Sequence, residues 1–254
     1  MDFDFVCISL VSRPDRRNES KRLFKKLGIA DRIHWWIVEK HSQGGMYGCF
    51  ESHWSVWTSS EFNRPYLCVF EDDLMEGSTD CVWRFFQALD YARKAIPGRL
   101  DVLNLEPALG YVQRPIQDDI YEGGFLHLGC YITHRSVLPT IAKRTIGWFG
   151  IDIDTALYKN CRMGGVLPQI FAQRDGLSDN GGGFRNIQLP LESIYKAFTS
   201  LNQQIPFIGW FSIEMAQFFS FYYLLIRSSP LEFKDRRTKK SSRLKRAYES
   251  TLPF

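Results

Sequence analysis

Residues 3–10 form a short, mainly apolar, β-branched run closed by Ser12-Arg13-Pro14-Asp15, which predicts a strand entering a loop. Over 16–27, Leu23, Phe24 and Leu27 share one helical face, and Gly28 supplies the stop. A second strand is predicted at 33–38. Met46, Phe50, His53, Trp54 and Trp57 then recur at intervals of three and four, the spacing of a helix. A third strand at 66–70 runs straight into Glu71-Asp72-Asp73. Val82, Phe85, Phe86, Leu89 and Ile96 mark another amphipathic helix, stopped by Pro97-Gly98, and 101–105 reads as a fourth strand.

Strands alternating with helices at this spacing imply an α/β fold, a mostly parallel sheet flanked by helices. Ligands of such sheets bind beyond the carboxyl ends of the strands, where the loops at 12–17 and 71–74 both lie. The second half is less regular. A strand is expected at 126–133 after a Gly123-Gly124 turn, a short helix at 135–144, and another from Ile151-Asp152-Ile153-Asp154 to Asn160. Residues 178–186, with three consecutive glycines, read as a loop. The organisation expected is one domain over 1–200 and an aromatic helix with a basic tail over 201–254.

The chain has 254 residues, 44% hydrophobic and 24% charged, which excludes disorder, collagen-like repeats and a coiled coil as its main description. Its net charge of +4 is unevenly placed. Residues 227–249 hold nine basic and three acidic side chains, so this stretch carries +6 and the remainder −2. The basic character belongs to the tail, and nucleic acid is not an expected partner. None of the 6 cysteines has C-x-x-C spacing, and Cys7, Cys68 and Cys130 fall in strand runs, so buried free thiols are expected. With an acidic start that lacks the features of a signal peptide, a cytoplasmic location is expected.

Glu71-Asp72-Asp73 is the sharpest chemical feature. Three adjacent carboxylates repel one another, so they form either a solvated acidic turn or a site for a cation such as Mn²⁺ or Mg²⁺, which prefer oxygen ligands. In Ser12-Arg13-Pro14-Asp15-Arg16-Arg17, the arginine forks and the exposed backbone of the helix start suit a phosphate or the polar edge of a base, or the segment is simply a solvated helix end. Ser52 and His53 lie on an otherwise aromatic helix and read as core or as site residues. Asp152 and Asp154 are either helix-capping acids or a general base.

Together these residues resemble glycosyltransferase family 25. The resemblance begins at Ile8-Ser9-Leu10 with Arg13-Pro14-Asp15-Arg16-Arg17. It continues through Gly48-Cys49 with Ser52-His53, Val69-Phe70-Glu71-Asp72-Asp73, Gly129-Cys130-Tyr131-Ile132, Ile151-Asp152, and Pro168 with Gln173 and Ser178-Asp179. Ser9 stands where the family has Asn, and the chain beyond Asn180 has no counterpart. The resemblance implies a GT-A fold and metal-assisted, inverting transfer of galactose or glucose from a UDP-sugar to a hydroxyl of a glycan, lipid-linked or protein acceptor. It implies metal ligands Glu71 and Asp73, a base at Asp152 or Asp154, and a donor site bordered by Arg13, Asp15, Arg16, Ser52, His53 and Asp72. The alternatives are a sugar-phosphate nucleotidyltransferase and a non-catalytic glycan-binding module.

Residues 207–226 are strongly aromatic, with Glu214, Gln217 and Ser220 in a narrow polar stripe. A carboxylate near the centre of a spanning helix costs about 2.5–3.5 kcal/mol. The expectation is either an interfacial helix on the inner membrane face, followed by a basic segment meeting anionic lipid, or a terminal helix packed on the domain with a solvated basic end.

Overall fold

The structure, a computed structural model, describes residues 2–174 apart from 108, 118 and 149–152. The expected Asp152, the loop at 178–186 and the C-terminal extension at 201–254 lie outside the described residues.

The first half follows the predicted order. Strand β1 (Phe3–Leu10) leads into α1 (Pro14–Lys26), β2 (Ile33–Val38), α2 (Gly45–Thr58) and β3 (Tyr66–Glu71). Helix α1 starts on Pro14, which fits the first turn, carries Lys25 and Lys26 in its last turn and ends before Gly28 at φ +67°. Beyond the acidic triplet come β4 (Leu74–Glu76), α3 (Cys81–Ala95), β5 (Val102–Asn104), β6 (Leu109–Gln117), β7 (Ile120–Leu126) and β8 (Cys130–His134). The described chain then closes with α4 (Leu138–Thr145), α5 (Ile153–Asn160), β9 (Met163–Val166) and β10 (Phe171–Gln173).

The main sheet has the order β2-β1-β3-β8-β5-β9-β7-β6, and β4 pairs with β10 separately. All strands of the main sheet run one way except β8 and β7, so the sheet is mostly parallel. One expectation is corrected. Gly123 and Gly124 are not a turn but sit inside β7, paired with β6, and the strand predicted at 126–133 is interrupted by a connection at 127–129. The apolar residues on both sides of that connection belong to two different strands.

Strand alternation sorts the core into two layers. Phe3, Phe5 and Cys7 of β1, Cys68 and Phe70 of β3, and Cys130 and Ile132 of β8 pack with α1 and α3. Val6 and Ile8, Leu67 and Val69, and Tyr131 face the other way, onto α2, α4 and α5. All six cysteines are free thiols, as expected, and burial pushes the thiols of Cys7 and Cys130 well above their ordinary value. No helix among the described residues is long and apolar enough to cross a membrane.

Candidate active site

The same alternation separates the acids at the end of β3. Glu71 continues the side of Leu67 and Val69 and meets α2, whereas Asp72 continues the side of Cys68 and Phe70 and meets α1. Asp72 is held on three sides. Ser9 Oγ donates to its Oδ2 at 2.5 Å, Arg16 Nη1 lies 3.5 Å from its Oδ1, and Ser20 Oγ donates to its backbone carbonyl at 2.7 Å. Arg17 in turn donates to Ser9 Oγ at 3.1 Å and to the carbonyls of Leu10 and Val11, tying the end of β1 to α1. Burial raises the Asp72 carboxyl above its ordinary value despite these donors.

Asp73 receives Arg16 Nη1 at 3.3 Å on Oδ2, and its Oδ1 is buried with no hydrogen-bond partner among the described residues. Burial and repulsion by Glu71 push its pKa up from 3.8 to about 7. Glu71 differs. Burial is the largest influence and raises it too, but the hydrogen bonds and charges of His53, Cys49 and His127 together outweigh burial, and its pKa falls below the ordinary value. His53 Nε2 lies 3.2 Å from Glu71 Oε1, and Cys49 Sγ is 3.7 Å from the same oxygen.

A further acid completes the cluster. Glu106 follows β5 at the same sheet edge, is 1% exposed, and accepts the Gly129 backbone N–H at 3.0 Å. Burial and repulsion by Asp73, Glu71 and Asp154 hold its carboxyl well above the ordinary range. The connection 127–129 is fastened around it. Asn104 donates through Nδ2 to the His127 carbonyl at 2.8 Å and accepts the Glu106 N–H through Oδ1 at 2.8 Å, while Asp154 Oδ2 accepts the His127 N–H at 2.9 Å. His127 is thereby kept at φ +63°, a region that non-glycine residues seldom occupy and that recurs at functional sites.

The structure thus brings Glu71, Asp72, Asp73, Arg16 and Asp154 to one sheet edge. It does not place every expected donor residue there. Arg13 and Asp15 bond to each other at 3.1–3.3 Å at the exposed start of α1. Ser52 donates to the Gly48 carbonyl at 2.5 Å, and His53 is 1% exposed and stands behind Glu71. The sequence reading did not include Glu106, Asn104 and His127. For Glu106 a signal existed: Asn104-Leu105-Glu106 ends the fourth strand on the ligand edge, the same position in the fold that singles out Glu71.

A divalent cation fits this donor set. The ligand atoms on offer are carboxylate oxygens, one of them buried and unpartnered, and neighbouring acids repel each other with only part of the charge balanced by Arg16.

No protein-family model and no curated protein matches the chain. Among solved structures it is similar to a glycosyltransferase involved in glycosylation of the major capsid of PBCV-1, with 10% identity and a TM-score of 0.45 over 70% of this chain and 95% of that one. It is also similar to a Drosophila β1,4-galactosyltransferase 7 variant in complex with manganese, UDP-Gal and xylobiose (9% identity, TM-score 0.43, 74% and 78% covered). A UDP-glucose pyrophosphorylase complexed with UDP-glucose is comparable (14% identity, TM-score 0.42, 76% and 81% covered). These are likenesses of fold.

Proposed function

We propose that the protein is an inverting hexosyltransferase of the family 25 kind, moving galactose or glucose from a UDP-sugar to a hydroxyl of a glycan, lipid-linked or protein acceptor. The observation that carries this reading is the buried, unpartnered Oδ1 of Asp73 beside Glu71 at the carboxyl edge of the sheet. Glu71 and Asp73 would hold Mn²⁺ or Mg²⁺, and a cation there supplies charge neutralisation for a diphosphate leaving group.

The side chains divide the remaining work. Arg16 bridges Asp72 and Asp73 and can turn its guanidinium toward a phosphate once those acids have another partner. Ser9 and Ser20 keep Asp72 fixed while this happens. Asp152 takes the acceptor hydroxyl proton as the acceptor oxygen bonds to the anomeric carbon and the bond from that carbon to the diphosphate breaks. Asp154 already spends one oxygen on the His127 backbone, which suits it to shaping the site. The C-terminal aromatic stretch and basic segment would bring the enzyme to an anionic membrane surface, beside a membrane-proximal acceptor.

The test is a panel of nucleotide sugars with Mn²⁺, Mg²⁺ or excess chelator, reading release of nucleoside diphosphate. Metal-dependent release of UDP from UDP-galactose or UDP-glucose is expected, abolished in Asp73→Asn with the fold intact. Full activity of that variant in chelator overturns the reading, and pyrophosphate release would show nucleotidyl transfer instead.

A further inference from the structure

Behind Glu71 lies a buried chain of polar side chains whose hydrogens can be placed by elementary rules. Trp57, Tyr131 and His53 are 5%, 0% and 1% exposed. Trp57 Nε1 can only donate, and it donates to the Tyr131 hydroxyl at 2.7 Å. The Tyr131 hydroxyl keeps a proton of its own, since burial holds its pKa well above the ordinary value. That proton needs an acceptor, and the other polar atom within reach among the described residues is His53 Nδ1, at 2.9 Å. An imidazole that accepts at Nδ1 carries its proton at Nε2, and Nε2 faces Glu71 Oε1 at 3.2 Å. The opposite tautomer fails twice. It leaves the buried Tyr131 proton unmade, and it sets a nitrogen lone pair against a carboxylate oxygen.

Cys49 Sγ also approaches Oε1, at 3.7 Å, so both hydrogen-bond contacts of the Glu71 carboxylate with the described residues fall on that oxygen, and Oε2 has none among them. We infer that Trp57, Tyr131 and His53 form a directed hydrogen-bond relay that occupies Oε1 of Glu71 and turns Oε2 toward the cation. His53 is then a positioning residue for the metal site. The inference rests on the reading of Glu71 as a metal ligand.

It also decides between two sites that share residues. Cys49, His53 and Glu71 offer ligand atoms within 4.8 Å of one another, a mixed sulfur, nitrogen and oxygen set that would suit Zn²⁺. Ligation there needs a free lone pair on His53 Nε2, which the relay fills with a proton. The cation goes to the oxygen side.

The experiment uses the full chain with Mn²⁺ alone, and needs no sugar donor. Imidazole nitrogen NMR of the metal-free protein, with His53 assigned by its loss in His53→Gln, should show the Nε2-protonated tautomer, and Tyr131→Phe should erode that preference. Mn²⁺ affinity, read by electron paramagnetic resonance of the free ion, should fall about 10–100-fold in His53→Ala. Affinity should largely return in His53→Gln, which can still offer an N–H to Glu71, and Tyr131→Phe should fall between. Circular dichroism confirms that each variant is folded, and the two conservative variants keep the test valid if the alanine variant is not. An Nδ1-protonated His53, or His53→Ala binding Mn²⁺ as tightly as the unaltered chain, overturns the relay alone. Zn²⁺ bound more tightly than Mn²⁺ and lost in Cys49→Ser overturns it in favour of the mixed site. An unaltered chain that binds no Mn²⁺ overturns the metal reading first, and the purpose of the relay with it.

Discussion

Asp73 is where acid–base behaviour and stability meet. Its carboxyl is raised from 3.8 to about 7 by burial and by Glu71, so the folded protein holds a proton there that the unfolded chain has lost. With a raised carboxyl, its contribution to stability is fully present below pH 3.8 and is lost as pH rises through about 7. At about 1.36 kcal/mol for each pH unit, the ionised form costs at most about 4 kcal/mol. Asp73→Asn keeps the shape without the charge. Its melting temperature should match that of the unaltered protein near pH 4 and exceed it above pH 7, and Mn²⁺ should narrow the gap by stabilising only the unaltered chain. A melting difference independent of pH would mean that Asp73 is not strained by its neighbours. At this scale the sequence was most informative where chemistry is contiguous: Glu71 and Asp73 announce themselves as neighbours of one another. Glu106 is a single acid in an apolar stretch, and only the fold brings it to the others.

Elements decide which way those acids point. Because β3 alternates, α2 receives Glu71 and α1 receives Asp72, and the connection 127–129 closes the site from the β8 side. Gly129 is needed there for space. A Cβ on it would lie 2.2 Å from Glu106 Oε2 and 2.9 Å from Leu74 Cδ2, while its own carbonyl accepts the Glu71 N–H at 2.7 Å. Gly129→Ala should therefore cost about 1–3 kcal/mol. Adding Glu106→Ala removes the closest clash, so the double variant should be destabilised by less than the sum of the two single changes in denaturant titrations. Simple additivity would place the strain elsewhere. The helices and first strands were legible because each carries its own period and stop. The breaks in the second half were not, since Gly123-Gly124 has the composition of a turn. Glycine also serves in strands where a neighbour comes close, as at Gly165, where a Cβ would lie 2.8 Å from the Phe125 ring.

Across the whole molecule, the site collects residues from 9 to 154 at one edge of one sheet, a gathering set by strand order and invisible to local pattern. Beyond the described residues the charge of the chain becomes the handle. If residues 227–249, at +6, meet anionic lipid, binding to anionic vesicles should weaken steeply with salt, each basic residue adding about 1 kcal/mol near the surface. A chain shortened to end at Gln203 should keep Mn²⁺ binding and lose the vesicles; equal vesicle binding by both chains would exclude attachment through this segment. The central position of β8 has a consequence of its own. It enters between β3 and β5 against their direction, pairing Tyr131 with Val69 and Cys130 with Phe70. Were it to slip by one residue, Tyr131 would turn to the layer of α1 and α3 and leave His53 without its hydroxyl. The proton on one buried imidazole therefore records whether the middle of the sheet is in register, and following that single resonance during refolding would time the moment at which the two halves of the sheet lock together.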